Sequence, residues 1–228
     1  MSITDFKPQC ARILSKLERA KQIDAGRKAF GSSHHNYGMG APISPEDLAA
    51  FETQYDTALP EAFAAFLLYV GNGQDTPHID EMNIIYGSSA GPYYGLFPLG
   101  STLSIGENIA LTREVVVSPN MSLEAWKEAT AAIHDPAITD ENYESELERL
   151  FGGILPIGHQ GCLDWQGLLL SGAHKGRIVY MNEELYGPHY LTRYETMLDW
   201  YEDWLDGVIA GPDAQKSFDG AVYISSAQ

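Results

Sequence analysis

The sequence predicts a fold of the α+β class, in which helices from both ends of the chain pack against a sheet. Apolar residues repeat at helical spacing near the two ends, whereas the middle holds short apolar segments bounded by glycine or proline. A helix that is apolar on one side must bury that side, and the strand-like segments offer the surface for it. A chain of 228 residues is long enough to form one large domain with its own core.

The first helix is expected at about residues 8–25, and its outer faces are basic. Its apolar positions follow one helical face: Cys10, Ile13, Leu14, Leu17 and Ala20. A stretch rich in glycine and serine follows, which is typical of a linker or an ordered loop. We therefore expect a basic helix with its linker at residues 1–42, and an α+β domain at residues 43–228. Two arrangements stay open: the helix is an extension of the domain, or it folds back onto the acidic body.

Two further helices are predicted between residues 44 and 70. Ser44 is suited to the N-cap, Pro45 to the first helical position, and Asp47 to the acidic position of a capping box. The second helix starts after a Leu-Pro pair, and we expect the segment Gly71-Asn72-Gly73 to end it with left-handed residues.

The sheet is predicted from five short apolar segments with glycine or proline at their ends. In chain order these are MNIIYG, GLFPLG, GILPIG, WQGLLLSG and GRIVYMN. The last two are separated by a short glycine-containing loop, which predicts a hairpin. An inserted helical region near residues 106–150, with one helix at 122–133 and an acidic stretch at 139–151, is expected to interrupt the strands.

The last helix is predicted at residues 192–209, with Thr192 and Glu195 as its capping box. One face is continuous in aromatic and aliphatic residues, and the opposite side is acidic. The acidic residues are Glu195, Asp199, Glu202, Asp203 and Asp206. Most of them have no basic neighbour on the helix, and like charges at this spacing are unfavourable. They form either a solvated face or the surface that binds a basic partner, and we take them as the candidate partner-binding residues.

The formal net charge of −17 is distributed unevenly. Residues 1–28 carry seven basic and three acidic side chains, whereas the other 200 residues carry seven basic and 28 acidic ones. Such a body repels phosphate backbones, which argues against direct binding of nucleic acid and of anionic membranes. A basic protein is the natural complement, because opposite fields raise encounter rates. The alternative is that the acidity only keeps the protein soluble.

Several features indicate a cytoplasmic protein. The apolar runs are too short to span a bilayer, and we expect no secretory signal, because no charged region followed by an apolar one begins the chain. Cys10 and Cys162 have no metal-ligand spacing and predict reduced thiols.

The motifs for catalysis are weak. Residues 87–91 match the G-x-S-x-G pattern of a serine hydrolase, but the residues that follow do not open the helix that this turn requires. His34 and His35 are adjacent, which is poor spacing for one metal ion, and nothing demands that His159 and Asp164 form an acid–base pair. We therefore predict that the protein is not an enzyme and needs neither cofactor nor metal. An enzyme built on Ser89, or on His159 and Asp164, is the competing hypothesis.

Two segments resemble a known family. ISPEDLAAFETQYDTALPEAFAAFLLYVGNG, residues 43–73, and ILPIGHQGCLDWQGLLLSGAHKGRIVYMN, residues 154–182, are similar to the two signatures of the SUKH superfamily, which contains the Smi/Knr regulators of cell-wall assembly. The last amphipathic helix resembles the closing helix of that family.

The resemblance implies a largely antiparallel sheet wrapped by helices from both chain ends, and a role in binding rather than catalysis. Bacterial members look like immunity proteins that neutralise toxins, often nucleases, whereas fungal relatives are regulatory hubs. We expect an immunity protein whose partner is a basic toxin domain. The alternative is a regulatory interaction module with no toxin partner. The family has no fixed partner-binding motif, so no site residue is carried over from it.

Overall fold

The computed structural model describes residues 2–74, 78–79, 85–86, 89–104, 111–116, 121–161, 164–182, 184–185 and 187–211, and the structural statements below concern these residues. The helices are α1 (Lys7–Ile23), α2 (Ser32–His35), α3 (Pro45–Gln54), α4 (Glu61–Tyr69), α5 (Leu123–Ala129), α6 (Asp140–Phe151) and α7 (Met197–Ala210). The strands are β1 (His78–Ile79), β2 (Ile85–Tyr86), β3 (Gly95–Leu96), β4 (Ile154–Gly161), β5 (Asp164–Leu169), β6 (Ile178–Asn182) and β7 (Tyr190–Leu191).

The main sheet has five strands in the order β3-β4-β5-β6-β7, and every neighbouring pair is antiparallel. Strands β5 and β6 form the predicted hairpin, with Leu168 opposite Ile178. The two short strands β1 and β2 pair with each other. The fold is therefore α+β with an antiparallel sheet, as predicted. Part of the segment MNIIYG, and Cys162, lie outside the described residues.

The two faces of the sheet are covered by different parts of the chain. On one face, buried residues of β4, β5 and β6 join those of α1, α4 and α7 in a single apolar cluster. On the other face, Ile154, Leu169, Val179 and Met181 form a smaller cluster against Phe151 of α6. Helices α5 and α6 share a third cluster, built around Trp126 and Leu150. Both helices lie in the inserted region between β3 and β4, where the sequence predicted helices.

Helix α1 folds back and completes the main core. Its buried residues are Cys10, Ile13, Leu17 and Ala20, whereas Leu14, predicted on the same face, is 40% exposed. The thiol of Cys10 donates to the carbonyl of Ala65 at 3.7 Å, and burial raises its pKa to about 11. Fully burying side chains such as Ile13 and Leu17 stabilises the fold by about 1.5–3 kcal/mol each. The first helix is thus packed on the body rather than held away from it.

The cap of α3 is as predicted, but the cap of α7 is not. The Ser44 hydroxyl accepts from the Asp47 amide at 3.0 Å, completing the capping box. The N-cap of α7 lies four residues later than expected, because Thr196 rather than Thr192 caps the helix and accepts from the Asp199 amide at 3.2 Å. Thr192 is buried in the preceding segment. The sequence prediction failed here because Thr-x-x-Glu and Thr-x-x-Asp follow each other, and both satisfy the pattern.

The expectation that Gly71-Asn72-Gly73 is left-handed was wrong. Both glycines have ordinary backbone angles, and they are needed for space. A Cβ on Gly73 would lie 2.0 Å from the Pro98 nitrogen. Between them, the Asn72 carbonyl accepts from the Gly40 amide at 3.0 Å, and its side-chain oxygen accepts from the Leu99 amide at 2.9 Å. This turn joins loops that are distant in the sequence.

Candidate functional site

Helix α7 is held against the sheet by its aromatic face. The Trp200 indole donates to the Tyr180 hydroxyl at 2.9 Å, and the Tyr201 hydroxyl donates to the Ala90 carbonyl at 2.8 Å. Both bonds are buried, so they fix the rotation of the helix about its axis as well as its position. Three acidic residues of α7, Asp199, Glu202 and Asp206, are therefore directed to the side on which α1 lies.

Glu202 is the centre of the contact between α7 and α1. Its two carboxylate oxygens accept from Nε and Nη2 of Arg12, each at 3.1 Å, in a bidentate pair. Lys16 approaches one of the same oxygens at 3.0 Å, and Gln9 donates to the other at 3.1 Å. The Glu202 side chain is only 12% exposed. A bidentate, partly desolvated ion pair is stronger and more specific than an isolated surface pair.

The residues on either side of Glu202 extend this contact. Gln9 donates to Asp199 at 3.0 Å, and Lys16 forms an ion pair with Asp206 at 2.7 Å. On both helices the contacting residues are spaced by three and then four positions, which places them on one helical face. The Asp206 side chain remains 51% exposed, whereas the Asp199 carboxylate also accepts from the cap hydroxyl of Thr196 at 2.7 Å.

The two remaining predicted residues have partners near the start of α7. The Tyr194 hydroxyl donates to Asp203 at 2.5 Å, and Arg193 lies 3.3 Å from the same oxygen. Glu195 precedes the helix rather than lying on it, and its side chain is 80% exposed. Its only described ion-pair contact is a long one, 3.9 Å from Arg177.

The pKa values in this contact follow from its geometry. Burial alone would raise the pKa of Glu202, but the hydrogen bonds from Arg12, Lys16 and Gln9 outweigh burial and hold its pKa below the ordinary value. For Tyr194, burial and the hydrogen bond to Asp203 both raise the pKa of the hydroxyl. Glu202 therefore stays ionised at neutral pH, although it is mostly buried.

The inserted region carries a second acidic surface. Six carboxylates of the described inserted helices and their connection are exposed: Glu124, Glu128, Asp135, Asp140, Glu141 and Glu144. Within the described part of the chain, none of the six has a cationic group at ion-pair distance. Two other acids of α6 are neutralised, because Arg113 pairs with Glu148 and Arg149 pairs with Glu146, each at 2.6 Å. None of these six residues is among the predicted partner-binding residues, which belong to the last helix and its start.

The residues considered for catalysis have structural roles. Ser89 is fully buried; its hydroxyl donates to the Asn72 carbonyl at 2.9 Å and accepts from the Gly40 amide at 3.2 Å. His159 is buried beside Trp165, and Asp164 accepts from Asn182 on the next strand at 3.0 Å. Gly87 and Ser88 of the G-x-S-x-G pattern lie outside the described residues.

The adjacent histidines His34 and His35 face different surroundings. The Nδ1 atom of His35 accepts from the Tyr37 amide at 3.0 Å, and burial lowers its pKa to about 3. His34 instead packs edge-on against Tyr94, with ring centroids 4.1 Å apart. Among the described residues, no group of three or more His, Cys, Asp or Glu side chains is placed to hold a metal ion.

The model of the SMI1/KNR4 family (SUKH-1) matches residues 42–206. The chain belongs to this family. The match begins just before α3 and ends within α7, so it includes the sheet and the inserted helices. Helix α1 lies outside the matched range, although it supplies the cations that meet the acidic face of α7. SUKH domains generally bind other proteins and are not enzymes. A comparison with curated protein sequences gave no match. In the described ranges, no helix combines the length and apolar character required to cross a bilayer.

Proposed function

We propose that this SUKH-1 protein is a cytoplasmic immunity protein that binds and neutralises a basic toxin domain, such as a nuclease. The observation that carries the proposal is the distribution of charge. Outside residues 1–28 the chain holds 28 acidic and seven basic side chains, and exposed carboxylates of the inserted region have no described ion-pair partner. An inhibitor with such a surface attracts a cationic enzyme and competes with its anionic substrate.

The five predicted acidic residues at the start of α7 and along it are not equally available to a partner. Glu202 faces α1 and is almost covered, so it serves the fold first. Glu195 and Asp206 are exposed and remain able to contact a partner, together with the outer part of Asp203. We assign these three to a secondary contact on the α7 side of the sheet, away from α6.

Co-expression tests the proposed function. The product of the adjacent gene, which the proposal expects to be a basic toxin domain, is expressed from an inducible promoter, with and without the SUKH-1 protein. We expect growth to be restored by the protein, and a stable complex of the two purified chains on gel filtration. A catalytically inactive toxin variant is the control, because it does not stop growth and allows complex formation to be measured by itself. Continued growth arrest together with no complex would overturn the proposal.

A regulatory interaction module is the second candidate, and the family itself favours it, because the matching model is that of the SMI1/KNR4 proteins. In that case the partner is a protein whose expression alone does not stop growth. The co-expression experiment separates the two candidates. A regulator would not restore growth of cells that express the toxin, but it would form a complex with its own partner.

A further inference from the structure

A groove lies between helix α6 and the connection that joins α5 to it. It has a volume of about 310 Å³ and is lined by Ala132, Asp135, Ala137, Ile138, Asn142, Ser145 and Glu146. Three of these side chains are apolar, and they belong to the connection between the two helices. The others are polar, and those on α6 are spaced by three and four positions, so they share one face of that helix. The groove therefore offers apolar contact beside acceptors for hydrogen bonds.

The groove is braced from within. The Arg149 guanidinium donates to the Ala129 carbonyl at the end of α5 and also pairs with Glu146 at 2.6 Å. The Trp126 indole donates to the Leu185 carbonyl at 2.9 Å, which ties α5 to the loop after β6. Asp135 accepts from the Ala137 amide at 2.8 Å and shapes the connecting turn. Because these groups satisfy one another, the groove is formed before any partner arrives, and binding loses less conformational entropy.

The residues of α6 next to the groove-lining ones carry the features of an interaction surface. Tyr143, next to a groove residue on α6, is 43% exposed although it is a large aromatic side chain. On the other side of the groove-lining face, Glu141 is exposed as well. Exposed tyrosine beside a preformed depression is typical of residues that dominate binding energy in protein interfaces.

The charge of this region selects the occupant. Residues 121–151 hold eight acidic side chains and two basic ones, Lys127 and Arg149. Arg149 is paired with Glu146, so Asp135 is the groove-lining carboxylate that has no described ion-pair partner and can receive a cationic side chain. The acidic face of α7 lacks this property, because α1 already supplies its cations.

We propose that the groove between α5 and α6 receives a lysine- or arginine-bearing segment of the basic protein partner, with its cationic end near Asp135 and its aliphatic stem against Ala137 and Ile138. Tyr143 covers the bound side chain from the rim. The proposal rests on the proposed function for the identity of the partner, but it can be tested without that partner.

The test uses the full chain and two short peptides, one of alternating lysine and alanine and one of alternating glutamate and alanine. Binding is followed by amide chemical shifts in NMR titrations at low and at physiological ionic strength. We expect the lysine peptide to shift residues 132–146 most, with weaker binding at the higher ionic strength, and the glutamate peptide to shift nothing.

Two matched pairs of variants locate the binding site. Ser145→Arg fills the groove and adds one positive charge, and we expect it to raise the Kd of the lysine peptide about tenfold. Ala50→Arg adds the same charge at an exposed position of α3 and should change the Kd less than about twofold. Tyr143→Ala should weaken binding, whereas Tyr190→Ala should not, although both tyrosines are 43% exposed. Thermal unfolding of each variant verifies the fold.

If Ser145→Arg and Ala50→Arg weaken binding of the lysine peptide equally, the proposal is overturned, because the peptide would then respond to the overall charge of the protein rather than to the groove. Shifts centred elsewhere, or no binding at low ionic strength, would also overturn the proposal. So would a dimer of the chain that Ser145→Arg dissociates, because the occupant would then be a second copy. If the toxin is neutralised equally well by Ser145→Arg, the groove assignment fails while the proposed function holds. If the peptide results are as expected but no basic toxin is neutralised, the groove assignment holds while the proposed function fails.

Discussion

Two helices of this protein carry acidic faces, and the structure uses them differently. On α7, Glu202 is paired with Arg12 and Lys16 of α1, and Asp206 is paired with Lys16. On α6, the exposed Glu141 and Glu144 have no cation at ion-pair distance among the described residues. The same sequence pattern therefore produces an internal contact in one place and a free surface in the other.

The difference teaches where a binding surface can be sought in a strongly acidic protein. An acidic helix face that is matched by cations of the same chain is already satisfied, and a partner would have to displace them. Displacing α1 is costly, because Ile13 and Leu17 are buried in the main core. The unmatched carboxylates keep their field toward solvent, and a partner can use them without disturbing the fold.

The largest expected effect concerns the packing of α1. Replacing Ile13, which is fully buried, with alanine should lower the free energy of unfolding by about 2–5 kcal/mol. Leu14 is its neighbour but is 40% exposed, and Leu14→Ala should cost about 0.5 kcal/mol or less. Urea unfolding of both variants measures the two values. Equal losses for both would show that α1 is not packed in the core as described.

A smaller effect is expected when the central carboxylate of the α1–α7 contact loses its charge. Glu202→Gln should lower the free energy of unfolding by about 1–2 kcal/mol, because bonds to a charged acceptor are lost while one partner, Arg12, remains in solvent. Glu144→Gln on α6 is the matched control and should change stability by less than about 0.5 kcal/mol. If the control is as costly as Glu202→Gln, the contrast between the two helices is wrong.

The contribution of Glu202 should also depend on pH. Its pKa in the folded protein lies below the usual value of 4.5, so its stabilising effect is complete above that pH and is lost as pH falls through the folded pKa. The difference in unfolding free energy between the wild-type protein and Glu202→Gln should therefore shrink as the pH is lowered below 4.5. Unfolding curves at neutral and at acidic pH test this expectation. A difference that stays constant or grows on acidification would contradict it.

Much of the fold could be predicted from the sequence because its signals are local. The capping box at Ser44, the hairpin of β5 and β6, and the aromatic face of α7 all depend on residues close together in the chain. The start of α7 was misplaced, because two capping patterns overlap at Thr192 and Thr196. The glycines at residues 71 and 73 were misinterpreted, because their role is space for distant chain segments rather than a local turn.

The candidate site was harder to predict, because residues distant in the sequence decide whether an acidic helix face is paired within the chain or exposed to a partner. The sequence showed that the last helix is acidic and that the first is basic, but not that Arg12 and Glu202, 190 positions apart, form a bidentate pair. The spacing of Gln9, Arg12 and Lys16 matches that of Asp199, Glu202 and Asp206, and this correspondence was a usable signal. No sequence motif marks the groove at Ser145, because its walls come from one face of α6 and from the irregular connection that precedes it.

The most direct test of the account compares two double charge reversals in the same binding experiment. Glu141→Lys with Glu144→Lys changes the acidic face of α6, and Glu195→Lys with Asp206→Lys changes the end of the chain by the same charge. Association rates with the purified, inactive toxin domain are measured by stopped flow over a range of ionic strength. The account predicts that the first pair slows association about tenfold at low ionic strength and reduces its dependence on salt, and that the second pair has a smaller effect. A larger effect of the second pair, or no effect of the first, would contradict it.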